Sequence, residues 1–77
     1  MLNNLFIDNN NMGVIQSTGE TFQMNEIAKE IISYLKEGLD KDSIVRNIAD
    51  KYNKKEEDVF IDVTDFFMKL KIYGLIK

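Results

Sequence analysis

The chain has 77 residues, 44% of them hydrophobic and 30% charged, a formal net charge of −3, and neither cysteine nor histidine. That length allows one small domain, whose thin core buries little more than ~60% of the unfolded surface. Without Cys or His there is no disulfide, no thiolate metal site and no Cys- or His-based catalysis, and the acidic balance opposes the phosphate contacts that dominate nucleic-acid binding.

The first quarter of the chain, "NNLFIDNNNMGVIQSTGETFQMN", is rich in Asn, Gly, Thr and β-branched residues. It divides into "LFID", "MGVIQS" and "ETFQM", separated by the turn-forming clusters "NNN" and "STG". Two or three short antiparallel strands within about residues 4–24 are expected. So small a sheet is not stable alone and must pack on helices. The opening residues show neither the basic start nor the apolar block of a secretory signal, and no apolar run is long enough to span a bilayer. A cytoplasmic location without membrane contact is expected.

From Asn25 onward the pattern becomes helical. Ile27, Ile31, Tyr34 and Leu35 recur at helical spacing in "NEIAKEIISYLKEG", which predicts a helix over about 26–37. Asn25 suits its N-cap, and Gly38 its left-handed close. A second helix is expected over about 42–52, with Ile44, Val45, Ile48, Ala49 and Tyr52 on one side. Asp40 or Asp42 caps its start, and Asn53 ends it. The third, over about 56–73, opens on "EED", which favours the positive end of the helix dipole, and stops at Gly74. No proline interrupts these elements, and neither an EF-hand nor a Gly-Lys-Ser/Thr phosphate loop is present.

The third helix carries more apolar residues than one buried face requires. At about 3.6 residues per turn, Val59, Val63, Phe66, Leu70 and Tyr73 form a core stripe. Phe60, Thr64, Phe67 and Lys71 occupy the next sector. Ile61, Met68 and Ile72 lie further round, and Asp58, Asp62, Asp65 and Lys69 form a polar strip. The surplus residues either pack on the sheet and neighbouring segments, remain as scattered exposed side chains, or line a groove for a partner.

The order and spacing of these pieces resemble the PqqD family, named for a small protein of pyrroloquinoline quinone synthesis and part of the wider class of RiPP precursor-peptide recognition elements. The pieces are the Asn25-capped helix ending at Gly38, "DSIVRNIADKY", the acidic "EED" followed by Asp62-Val63, and the closing set Phe66, Leu70, Gly74, Leu75 and Ile76. Together they cover about residues 19–76. Lys55 departs from the pattern, because it stands where a capping residue is usual.

The resemblance implies an α+β, winged-helix-like fold spanning residues 1–77, with the strands ahead of three helices. It implies a binding protein, not an enzyme, with no cofactor or metal. Such a protein holds the leader segment of a ribosomally made precursor peptide as an added strand and presents it to a modifying enzyme, commonly a radical SAM protein. Carried onto this chain, the receiving strand is "TFQM" (Thr21, Phe22, Gln23, Met24). The wall beside it is Phe60, Thr64 and Phe67, with Ile61 and Met68 as outer members. Two other readings are open: a winged-helix DNA-binding regulator, and a small oligomerisation domain using Ile61, Met68 and Ile72 or a strand edge as a homodimer contact. The DNA reading must set Glu56, Glu57, Asp58, Asp62 and Asp65 against phosphates.

Overall fold

The computed structural model describes residues 2–76. After a single 3-10 turn, three strands follow, β1 (Leu5–Ile7), β2 (Met12–Ile15) and β3 (Thr21–Gln23), then three helices, α1 (Glu26–Lys36), α2 (Lys41–Tyr52) and α3 (Glu56–Ile72). The strands form one antiparallel sheet in the order β1-β2-β3. The α+β class and element order agree with the sequence expectation, and all three strands form.

Local chemistry sets each boundary. At the β1–β2 turn, the Asn10 and Met12 amides donate to the Asp8 carboxylate at 2.8 and 3.0 Å, and Asn11 adopts a positive φ of 61°. The Ala28 amide donates to the Asn25 side chain at 2.8 Å and caps α1. Asp40, not Asp42, caps α2 by accepting from the Ser43 amide at 2.8 Å, and this bond holds the Asp40 pKa below the ordinary carboxylate value. Asn53 closes α2 in the left-handed conformation. Helix α3 starts at Lys55 with no side-chain cap. Its first turn carries three acidic residues, which complement the helix dipole there.

The core has two parts. In one, Leu5, Ile15 and Phe22 from the inner face of the sheet meet Ala28 and Ile32 of α1, Leu70 of α3, and Leu75. In the other, Ile31, Ile44, Val45, Ile48, Ala49, Val59 and Val63 join the three helices. Phe66 and Leu35 pack against both. Beyond α3, Gly74 takes a φ of +73°, and the chain turns so that the Leu75 amide donates to the Leu70 carbonyl at 2.9 Å. This turn returns the Leu75 side chain to the core. Lys51 of α2 pairs with Glu30 of α1 across the helix interface, and this hydrogen bond raises the Lys51 pKa above its ordinary value.

Gly13 lies opposite Phe22 in the β2–β3 register, and the Phe22 ring fills the space a side chain would take. A Cβ on Gly13 would stand 2.9 Å from both Phe22 Cζ and Met24 Sδ, well inside contact distance. Gly13→Ala is therefore expected to destabilise the fold by about 1–3 kcal/mol through overpacking. Urea-induced unfolding followed by circular dichroism would measure this.

Candidate functional site

The two sheet edges differ. Antiparallel pairing sends the backbone polar groups of alternate residues to opposite sides of a strand. In β3 the Met24 amide donates to the Asn11 carbonyl at 3.0 Å, and the Glu20 carbonyl accepts from the Ile15 amide at 2.9 Å. Glu20, Phe22 and Met24 thus face β2, and Thr21 and Gln23 direct their N–H and C=O groups to the open edge. By the same alternation Leu5 and Ile7 face the outer edge of β1. There Lys36 of α1 donates to the Leu5 carbonyl at 3.3 Å, which partly closes that edge.

The open β3 edge borders a groove of about 330 Å³. Its floor is Ile27, Ala28 and Ile31 of α1 with Phe66 of α3, its strand side carries Gln23 and Asn25, and its far rim carries Asp62, Asp65 and Lys69. Ala28 and Ile31 are buried at its base. The Lys69 ammonium lies 5.0 Å from the centre of the Phe22 ring, within cation–π range. An unpaired strand edge, an apolar floor and a charged rim are the elements of a site for an extended peptide.

The expected site residues fall into three groups in space. Thr21 and Gln23 present free backbone groups and exposed side chains. Phe22 and Met24 are only 6% and 3% exposed. Their side chains belong to the core, and their backbones pair with β2. They hold β3 in register, with their side chains turned into the core and away from its open edge. The Phe22 ring also stacks on Tyr73, with centroids 4.9 Å apart and planes 12° from parallel.

The wall expected from Phe60, Thr64 and Phe67 is not the one beside β3. These residues lie on the flank of α3 that faces α2 or solvent. Lys41, at the start of α2, places its ammonium 4.2 Å from the Phe60 ring centre and 6.0 Å from that of Phe67. Phe67 is partly buried against the three-helix core. Ile61 and Met68 are exposed on the back of the helix. The rim of the groove is instead the polar strip Asp62, Asp65 and Lys69, with Phe66 from the core stripe. The cause is the rotation of α3 about its own axis. Val59, Val63 and Leu70 must point inward and Phe67 packs toward α2, so the remaining flank, next to β3, is the one that carries the aspartates. The polar strip was visible in the periodicity, but which flank would meet the sheet edge was not.

Fold and site together define a small α+β domain, with a free strand edge facing a helix across a groove. The family model described as coenzyme PQQ synthesis protein D (PqqD) matches residues 13–76. The chain belongs to that family, and membership associates it with that branch of biosynthesis. No curated protein and no solved structure matches it significantly. Among the described residues no cluster of acidic side chains is placed to hold a metal ion, and no helix is long and apolar enough to cross a membrane.

Phe67 supports the helix interface, so Phe67→Ala should lower stability by about 2 kcal/mol, less than the loss for a fully buried ring. Its chemical-shift changes should be confined to α2 and α3, with β3 unaffected. Thermal unfolding and an amide NMR spectrum of the variant would check both.

Proposed function

We propose that this chain binds the leader segment of a ribosomally made precursor peptide and presents it to a modifying enzyme, with a radical SAM protein as the expected partner. The leader lies in the groove as a fourth strand, antiparallel or parallel to β3, and pairs with the outward N–H and C=O groups of Thr21 and Gln23. The observation that carries this reading is the pairing state of β3. Its inner groups are satisfied by β2, and its outer groups face a groove with an apolar floor. Family membership supports the same reading.

Binding of this kind takes affinity from main-chain hydrogen bonds and selectivity from side-chain pockets. Alternate side chains of the added strand point down to Ile27, Ile31 and Phe66 and out to solvent. Asp62, Asp65 and Lys69 act on the charged groups of the peptide. The protein contributes position: it holds the leader extended so that the following segment reaches another protein's active site. No chemical step is assigned to this chain. A DNA-binding role gains nothing from the geometry, because α3 opens on Glu56, Glu57 and Asp58 and carries Asp62 and Asp65 further along.

Gln23→Pro tests strand addition directly. Proline removes an N–H that β2 does not use, and the extended backbone before it is already what proline prefers. The variant should fold with near-native stability and bind a cognate leader peptide at least tenfold more weakly, as read by isothermal titration calorimetry. In an amide NMR titration the wild type should show shifts at Thr21, Gln23 and along 62–69, with none on adding a DNA duplex. Unchanged peptide affinity in Gln23→Pro would rule out strand addition on β3.

A further inference from the structure

The back of α3 carries an exposed apolar face that the groove does not use. Ile61, Met68 and Ile72 are 58%, 57% and 83% exposed, and they follow one another along a single seam of the helix. Scattered exposed apolar residues are ordinary, but Ile61, Met68 and Ile72 share one helix face, with Asp65 the polar residue among them, and such a face suits a helix–helix contact. The charges beside the row indicate what fits it. Helix α3 carries Glu56, Glu57 and Asp58 in its first turn and Lys69 and Lys71 in its last. Among the described residues, none of these five belongs to an ion pair within the chain.

We propose that this face pairs with the same face of a second copy, with the two α3 helices antiparallel about a two-fold axis near Thr64. A two-fold axis brings residues on the same flank of the seam together from opposite ends. At about 100° per residue, Glu57 and Lys71 fall on one flank of the Ile61–Met68 seam. They are also spaced almost symmetrically about its midpoint. Ile61 then meets Met68 of the second copy, and Glu57 meets its Lys71, each contact occurring twice. Ile72 covers the aliphatic stem of the facing Glu57. Asp58 and Lys69 repeat the charge pattern on the other flank, although Lys69 already leans toward Phe22.

The contact is weak by design of its size. A single pair of helices buries less than the ~1,600 Å² of a standard interface, and Asp65 sits near the axis, facing its own copy. Association is therefore concentration-dependent. Asp65 is shared between this seam and the groove rim, whereas the groove floor of Ile27, Ala28, Ile31 and Phe66 lies away from the seam. The pairing does not depend on the peptide-binding reading.

Sedimentation equilibrium over a wide concentration range tests the proposal. The wild-type chain should move from monomer toward twice the monomer mass. Ile61→Asp, at an exposed position, should keep the fold by circular dichroism and stay monomeric. Glu57→Lys and Lys71→Glu should each weaken the dimer about tenfold, since every contact turns from attraction to repulsion. An equimolar mixture of these two variants should recover wild-type association, because both of its contacts are again opposite in sign. A monomer at all concentrations overturns the proposal. So does a dimer that survives Ile61→Asp, or one that the mixture does not restore. A dimer lost instead in Gln23→Pro would place self-association at the β3 edge and overturn it as well.

Discussion

The packing of the Phe22 ring is the contact on which the rest of the architecture depends. The ring lies over the bare backbone of Gly13 and stacks on Tyr73 at the end of α3. It thereby joins the middle strand, the edge strand and the last helix in one contact. Because strand residues alternate with a period of two, seating Phe22 inward also decides which backbone groups of β3 face β2 and which face out. A slip of one residue would bury Gln23 and send Phe22 to solvent, and the free edge would present a different set of amides.

The same contact fixes the groove. Tyr73 follows directly on α3, so stacking it against β3 draws the C-terminal half of that helix to the sheet, while Val59 and Val63 anchor the N-terminal half to α1 and α2. The helix cannot turn about its axis without breaking one of these two anchors. Its flank of Asp62, Asp65 and Lys69 is therefore held opposite Gln23. The apolar residues on its far side are left outside both core and groove. One helix thus offers three surfaces of different chemistry: an apolar stripe for the core, a charged rim for the groove, and a second apolar row facing solvent.

The two strand edges show how a small sheet manages unpaired backbone. On β1, the long side chain of Lys36 reaches a main-chain carbonyl, and an edge occupied in this way is a poor template for pairing. On β3 the neighbouring elements stand back, and the space between them is a groove. In a domain with so thin a core, leaving one edge free is a liability unless it is used. That asymmetry is why peptide addition on β3 is a more economical account of the fold than a surface helix entering DNA.

The sequence by itself determined the element order, the helix limits, most of the core and the family. These rest on short-range chemistry: the caps at Asn25 and Asp40, the positive-φ stops at Gly38, Asn53 and Gly74, and the spacing of Ile31, Ile48, Val63 and Leu70. Each is legible because cause and effect lie within a few residues. The family resemblance also pointed to β3 as the receiving strand, which the proposed function keeps. What the sequence did not determine was the outward direction of Gln23 rather than Phe22, or the flank of α3 that lines the groove. Periodicity sorts the residues of one helix into sectors, but it carries no information on how that helix is rotated against its neighbours. Only packing Phe22 on Tyr73 and Phe67 toward α2 settled that rotation, and with it the exchange of an aromatic wall for an aspartate-rich rim.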